Sequence, residues 1–489
     1  MRLTYLAYTF SLVIKHFSIV LLFPVIVALW YGEYFAVHPF LIAAISAFIT
    51  ASVIKRIVPG AKYIKTINDI KKSEGLTVVT FSWVFAGLFA AIPYLFFGIT
   101  PINALFEAFS GITTTGATAF RFFDYPNSLL FWRSLTQWLG GMGIIVLFIA
   151  VLPQFAIAGR QLFFAEAPGP TEEKFTPRIK STAAALWKIY AGLTLAEFIL
   201  LKWFGMCGFD ALCHSFSSLS GGGFSPHHTS LIGFSHKILW TITFFMFFAG
   251  ANFNLQHKAW TKFNPFLLFR NEEFRVYLGV VVTIALLLSF SLFANMHYTF
   301  FDSLVHAFFN VSSLVSSTGF CSVNYANWDY TSKILLFSIM LFGSCASSAG
   351  GGLKVTRWLL IFKIMKSEMM KILHPRAVYN IKIGNYSVSK DILYQTLMFV
   401  SFYFAMIVLS AFLIGLIEKN TIVAVVGSVA AVGNIGPGLG QIIGPLGSFA
   451  DLSTMTKSIL IIDMLAGRLE LIPFLVLFQK DLWVFKKNV

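Results

Sequence analysis

The sequence predicts an all-α polytopic membrane protein: about ten transmembrane helices and four re-entrant pore half-helices, arranged as four pseudo-repeats around one shared axis. Three observations predict it. Hydrophobic residues make up 57% of the 489 residues and charged ones 12%, with 55 phenylalanines and a mean hydropathy of +0.77, far outside the balance of a water-soluble domain. Uncharged stretches recur that reach the roughly 20 apolar residues a helix needs to cross a bilayer. Basic residues collect in alternate loops, and the loops between them carry glycine-bearing polar strings inside apolar sequence.

The clearest spans are Thr77 to Phe106, Leu135 to Gly159, Val276 to Met296 and Ile392 to Ile417. Weaker or shorter candidates lie near residues 8–30, 34–54, 181–201, 233–256, 334–362 and 456–478. Lys15 and His16 interrupt the first apolar run and no small-residue cleavage site follows it, so the first helix is expected to stay as an anchor.

The formal charge of +15 is unevenly placed. One set of loops holds Lys55, Arg56, Lys62, Lys65, Lys71 and Lys72, then Arg160, Lys174, Arg178 and Lys180, then Lys258, Lys262, Arg270 and Arg275. It continues with Lys354, Arg357, Lys363, Lys366, Lys371, Arg376, Lys382 and Lys390. The alternate loops hold Arg121, Arg133, Lys202, Lys237, Lys333, Lys419 and Lys457, so the split is twenty-two against seven. The rich loops are expected to face the cytoplasm. Their charge then reflects topology and contact with membrane lipid, or a cytoplasmic partner, and a nucleic-acid ligand is unnecessary. Cys207, Cys213, Cys321 and Cys345 have neither metal-like spacing nor a redox motif. Cys207 and Cys213 both fall toward the outside, where a disulfide or two single thiols would fit.

Each poorly charged connection contains an apolar segment too short to span, followed by a polar string. The strings are "GITTTGAT" (111–118), "SLSGGGFS" (218–225), "LVSSTGFC" (314–321) and "VGNIGPGLG" (432–440), an internal repeat. The segments leading into them, "NALFEAF" (103–109), "DALCHSF" (210–216) and "DSLVHAF" (302–308), read as short helices with an Asn or Asp N-cap. From the closing Phe to the central Gly the spacing is 7, 6 and 11 residues, and the fourth copy, 421–432, lacks the polar landmarks. The expected division is a helix pair at 1–72 and pore repeats at 73–160, 161–262, 263–375 and 376–489.

Non-helical backbone survives at membrane depth only inside protein or around a water-filled cavity. Four such strings in one chain surround one ion pathway most economically. None contains Asp, Glu, Lys or Arg, so there is no fixed charge to grip a divalent cation or attract an anion. Neutral carbonyl oxygens instead replace the hydration shell of a monovalent cation such as K⁺, and glycine permits the dihedrals that turn carbonyls inward. The C-terminal, partially negative ends of the half-helices add attraction.

With these strings, and with "LLFWRSLTQWLGGMGIIVLFIAVLP" (129–153), "EAPGPTEEKFTPRIKSTAAALWKIY" (166–190) and "MLAGRLEL" (464–471), the chain resembles TrkH-type subunits of the Trk/Ktr/HKT potassium-transporter superfamily over nearly its whole length. The resemblance implies potassium uptake across the cell inner membrane. Its narrowest ring would be built by Gly116, Gly222, Gly319 and Gly436, with Thr114, Thr115, Ser220, Gly221, Ser317, Thr318, Asn434 and Ile435. Glycine at all four places is the pattern the family associates with K⁺ rather than Na⁺. It also implies a homodimer and a cytoplasmic nucleotide-binding regulatory subunit of TrkA type, acting in trans because this chain has no dinucleotide fingerprint. No cofactor is expected on the chain itself; K⁺ is the transported ion.

"FGSCASSAGGGLK" (342–354) breaks an apolar segment with Gly350, Gly351 and Gly352 before Lys354. This composition suits either a loop inside the bilayer or a close helix crossing at small residues. The resemblance places such a loop beneath the filter as a gate, although Ser344 and Ser347 stand where glycines are typical and Ala349 where Thr is. Arg468 lies in the last apolar segment, where a charge faces the protein interior. The resemblance makes it a cationic barrier opposite the loop; a salt bridge with Asp463 or Glu470 is the structural alternative.

An intramembrane enzyme would need His214, His306, Glu107, Asp210 and Asp302 for acid–base or metal chemistry. Each occupies a matching place in the half-helices, which fits capping and hydrogen bonding better, and no HExxH spacing occurs. His227 and His228 read as surface loop residues. Within transport, the alternative is a Na⁺-permeable or Na⁺-coupled relative, and channel-like flow, proton symport and sodium symport all fit the strings. The charge pattern makes a topological prediction: single cysteines introduced at Lys65 or Lys371 should react with an impermeant reagent only from the cytoplasmic side, and labelling from outside would overturn the arrangement.

Overall fold

The computed structural model describes residues 3–58, 72–143, 179–376, 379–384, 386–471, 474 and 479. Helices α1 (Leu3–Val20) and α2 (Phe23–Trp30) form one apolar crossing of 28 residues, interrupted ahead of Pro24, which has no N–H to continue the ladder. Helix α3 (Val37–Ile57) returns and ends on Lys55 and Arg56, cations that complement the negative end of a helix.

Four units of one design follow. The first is α4 (Lys72–Leu95), α5 (Pro101–Ile112) and α6 (Asn127–Gly141). The second is α7 (Ile179–Trp203), α8 (Gly208–Leu219) and α9 (His236–Ala249), with α10 (Phe253–Thr261) and the short α11 (Phe266–Arg270) leading on. The third is α12 (Glu272–Asn295), α13 (Phe300–Val315) and a helix broken into α14 (Tyr330–Met340) and α15 (Val355–Leu373). A two-residue antiparallel ribbon, β1 (Lys382–Ile383) with β2 (Tyr386–Ser387), precedes the fourth: α16 (Lys390–Glu418), α17 (Thr421–Val432) and α18 (Thr454–Arg468).

Among the described residues six helices are long and apolar enough to cross a membrane, or seven if α9 and α10, bent by 101° across Gly250–Asn252, count as one. The other expected crossings fall on the shorter α6, α14 and α18. The span expected at 135–159 starts earlier, at Asn127, where the carboxylate of Glu33 accepts the Asn127 and Ser128 amides at 2.6 and 3.0 Å and so caps α6. Its second half, from residue 144, lies outside the described residues. The span expected at 334–362 is the one the glycine-rich segment breaks: residues 341–354 are non-helical, so the segment is a loop between α14 and α15 and not a continuous helix.

The short helices α5, α8, α13 and α17 are the expected half-helices, with a different start. Their N-caps are Thr100, Cys207, Thr299 and Asn420, whereas Asn103, Asp210 and Asp302 sit inside the first turn. There Asp210 and Asp302 complement the positive end of the helix, and Asn103 instead accepts from Lys457 Nζ at 2.7 Å. Cys207 caps α8 through its sulfur and, like the buried Cys213, is a free thiol. Helices α5, α8 and α17 have 12 residues each and α13 has 16, one additional turn.

The units close on themselves. Helix α6 packs against α8, α9 against α13, α14 against α17, and α18 returns to pack against α5. Each unit therefore lends its outer helix to the next half-helix, and the fourth completes the circle with the first. The strings that follow the four half-helices meet one another inside that circle.

Candidate functional site

Where each half-helix ends, the chain turns back on it in the same way four times. The amides of Thr115 and Gly116 both donate to Ser110 O, at 2.8 and 3.4 Å, and those of Gly222 and Gly223 to Ser217 O, at 2.9 and 3.3 Å. Those of Thr318 and Gly319 donate to Ser313 O, at 2.8 and 3.3 Å, and Ile435 N donates to Ala430 O at 2.8 Å. The backbone alternates in hand through each turn: φ is +55° and +83° at Thr114 and Gly116, +67° and +73° at Gly221 and Gly223, +59° and +79° at Ser317 and Gly319, and +51° and +92° at Asn434 and Gly436. Alternation gathers successive amides along one edge, here the helix side, and leaves the carbonyls along the other.

This register corrects one expected position. Gly223, not Gly222, is the counterpart of Gly116, Gly319 and Gly436, and Gly222 matches Thr115, Thr318 and Ile435. Three consecutive glycines carry no side-chain clue to the register; the hydrogen bonds supply it. The spacing from the closing Phe109 and Phe216 is then 7 residues in both copies, and the 11 in the third copy is that spacing plus the added turn of α13. Ser220 moves correspondingly to the C-cap of α8, level with Thr113, Ser316 and Gly433.

The four strings form a closed ring. A Cβ at Gly116 would overlap Gly222 O, at Gly223 Thr318 O, at Gly319 Ile435 O, and at Gly436 Thr115 O. Each string thus presses a bare glycine against the carbonyl of the next, in chain order and back to the first. Only glycine fits such an approach with φ in the left-handed region. At the level below, the buried Thr114 Oγ1 and Asn434 Oδ1 have no hydrogen-bond partner among the described residues.

Behind the ring, in three of the four half-helices, a buried side chain nine residues before the ring glycine fastens the outgoing strand. Glu107 accepts from Thr118 Oγ1 and from Ala119 N, at 2.5 and 2.6 Å; His214 meets Ser225 Oγ at 3.1 Å; Asn310 donates to Ser322 Oγ at 3.0 Å. His306 also reaches Ser322 Oγ, at 2.9 Å. His214, His306 and Glu107 thus brace the strings, as the capping and hydrogen-bonding reading expects. His227 pairs with Asp210 at 2.9 Å, and that hydrogen bond raises its pKa, while His228 packs on Phe123. Arg133, counted above among outer-loop charges, is buried in α6: it pairs with Glu107 at 3.2 Å, lies 4.0 Å over the Phe224 ring, and donates to Ser225 O at 3.1 Å. Gln137, one helical turn on, donates to Gly222 O at 2.7 Å and accepts from Phe224 N at 2.9 Å. Sequence reasoning did not single out Arg133 or Gln137 as part of the site.

The 341–354 loop lies against the ends of the half-helices. A Cβ at Gly350 would overlap Ser316 O and one at Gly351 would overlap Gly433 O, while Gly351 N donates to Ser317 Oγ at 2.6 Å. Its own amides are satisfied across the α9–α10 break, Cys345 N by Gly250 O at 2.9 Å and Ala349 N by Ala249 O at 3.2 Å. Lys354, assigned above to a basic cytoplasmic loop, is buried and folds back onto Ser344 Oγ at 3.1 Å and onto Gly350 O. Arg468 donates to Ala349 O at 3.0 Å and to the carbonyls of Gly140 and Gly141 at the end of α6. Glu470 is paired with Arg357, and Asp463 accepts from Ser410 Oγ at 2.7 Å.

Comparison with known proteins identifies one family. Residues 44–483 match the family model TrkH, described as a cation transport protein. The chain is 39% identical over 423 residues to a Trk system potassium uptake protein TrkH of Salmonella typhimurium, covering 85% of this chain and 87% of that one. It is 31% identical over 475 residues to TrkG of Escherichia coli K12, covering 96% of both. The crystal structure of the potassium transporter TrkH from Vibrio parahaemolyticus superposes with a TM-score of 0.86 at 32% identity, covering 99% of this chain and 100% of that one.

Removing one partner of a buried ion pair strands the other, at about 3–5 kcal/mol. Arg133→Ala should therefore lower the thermal midpoint of the purified protein far more than Arg121→Ala, whose pair with Asp451 is exposed. Equal midpoints for the two variants would show that Arg133 does not hold the strings.

Proposed function

We propose that this chain, which belongs to the TrkH family of cation transport proteins, takes up potassium across the cytoplasmic membrane through the ring of four strings, with the 341–354 loop and Arg468 as its gate. The observation that carries the reading is the closed ring, in which Gly116, Gly223, Gly319 and Gly436 each back onto a carbonyl of the next string. Amides are turned to the half-helices and carbonyls are left over, Gly222 O also accepting from Gln137, an arrangement suited to a cation that gives up water for neutral oxygens. The filter comprises Thr114 to Gly116, Gly221 to Gly223, Ser317 to Gly319 and Asn434 to Gly436. Thr114 Oγ1, buried and without a hydrogen-bond partner among the described residues, supplies a further oxygen at its lower level.

The ion path continues past the ends of α13 and α17, where Gly350 and Gly351 lie. A loop seated there blocks exit, and the Arg468 guanidinium beside Ala349 O adds a positive charge that a potassium ion must pass. Opening requires the loop to leave Ser317 and Arg468. The four units correspond to pore repeats beginning near residues 73, 161, 263 and 376. The basic loops face the cytoplasm, where a nucleotide-binding subunit would act, and a homodimer is the assembly the family leads us to propose. Relatives named as potassium uptake proteins support transport rather than enzymatic chemistry.

Two expectations test this. Gly116→Ser, Gly223→Ser, Gly319→Ser and Gly436→Ser should each lower the K⁺ over Na⁺ preference of proteoliposome flux by roughly tenfold, or ~1.4 kcal/mol, and unchanged preference in all four would sink the filter assignment. Arg468→Ala should raise potassium flux roughly threefold to tenfold at near-normal expression, because a charge-assisted contact to the loop and a barrier charge go together. Reduced flux per folded molecule would remove Arg468 from the gate.

A further inference from the structure

Besides Arg468, Ser317 and the glycines, a carboxylate from a different helix grips the loop. Glu273 lies in the first turn of α12, is 6% exposed, and its Oε1 accepts both from Ala346 N at 2.6 Å and from Thr356 Oγ1. Ala346 belongs to the loop and Thr356 to the first turn of α15, so one carboxylate oxygen joins α12, the loop and the helix that follows it. The need is physical: a loop amide inside the bilayer must find an acceptor, a carboxylate accepts about twice as strongly as a neutral oxygen, and a helix N-terminus favours its charge.

The preceding residue points the same helical turn at the cytoplasmic ribbon. Glu272 Oε1 pairs with Lys363 Nζ at 2.6 Å, and its Oε2 accepts from Gly384 N at 2.8 Å. Lys363 Nζ also donates to Lys382 O at 2.6 Å. Two adjacent carboxylates on one turn of α12 therefore hold the ribbon and the loop. A helical turn transmits displacement because its own hydrogen bonds fix the spacing of neighbouring residues.

From this we infer that Glu273 is a positioning residue that latches the 341–354 loop beneath the ring, and that Glu272 makes the β1–β2 ribbon the lever acting on that latch. The inference rests on reading the loop as a gate. It supplies a route by which a cytoplasmic partner gripping the ribbon would alter conduction without touching the filter.

The test uses the purified full chain, with potassium flux measured in proteoliposomes and hydrogen exchange measured over 341–354. Glu273→Ala should raise flux about tenfold and speed exchange around Ala346, while Glu273→Gln, which keeps an acceptor oxygen, should stay within about twofold of native. The preference for K⁺ over Na⁺ should not move, since the filter is intact. Glu272→Gln should raise flux roughly threefold alone and add nothing to Glu273→Ala, because both act through one latch. Unchanged exchange in Glu273→Ala, a lost ion preference, or full additivity of the two substitutions would overturn the inference. Hydrogen exchange reports the latch whether or not potassium passes. A native protein without flux whose Glu273→Ala exchange still accelerates would retract the transport reading and leave the latch standing.

Discussion

Main-chain amides that leave a helix inside a bilayer must find acceptors within the protein, and this structure is organised around meeting that demand. The strings meet it by doubling back, so that Ser110 O, Ser217 O and Ser313 O each take two amides from the residues that follow. What the doubling leaves behind is an edge of carbonyls, which is what a dehydrated cation needs. The proposed filter is therefore a by-product of satisfying the backbone. No charged side chain is required in the strings, and none is present. The loop meets the same demand differently, borrowing Ala249 O and Gly250 O from a broken helix and a carboxylate from Glu273.

The four copies agree in backbone and differ in what braces them. Nine residues before the ring glycine stand Glu107, His214, Asn310 and Gly427, and the first three reach a hydroxyl on the outgoing strand. An acid, an imidazole and an amide can exchange here because the task is only to bridge a fixed gap with a hydrogen bond. Gly427 has no side chain to offer, and the fourth string is braced from elsewhere: Asn434 Nδ2 donates to Thr115 Oγ1 and to Met464 O, both at 2.9 Å. That contact ties the last string to the first at the seam where the circle closes.

Membrane class, half-helices, strings and broken helix were legible because each leaves a local mark: hydropathy, shortness, or glycine in apolar sequence. The register of the second string was not, since Gly221, Gly222 and Gly223 are indistinguishable until their amides are traced. The half-helix starts misled for a related reason. Asp210 and Asp302 are acids at a helix beginning, and a first-turn acid and an N-cap look alike in sequence, differing only in which amide is satisfied. Gln137 and Glu273 left no mark because their partners lie far along the chain; Gly222 and Ala346 are 85 and 73 residues away. Arg133, Lys354 and Arg357 were counted as loop charges because a charge tally cannot see burial.

The asymmetry of the loop has a consequence for how the proposed gate works. The third unit breaks its outer helix into α14 and α15, and the loop it yields touches Gly221 of the second string, Ser316 and Ser317 of the third, and Gly433 of the fourth. Arg468 completes the set, joining Ala349 O to the carbonyls of Gly140 and Gly141 in the first unit. A single element is thus held by all four units at once. Close-packed contacts of this kind have discrete arrangements and do not deform gradually. If the loop is the gate, loosening one attachment would weaken the seat, and the path would clear only when the loop as a whole moves. A pseudo-fourfold pore with one asymmetric plug therefore favours all-or-none opening, whereas four separate gates would give graded states.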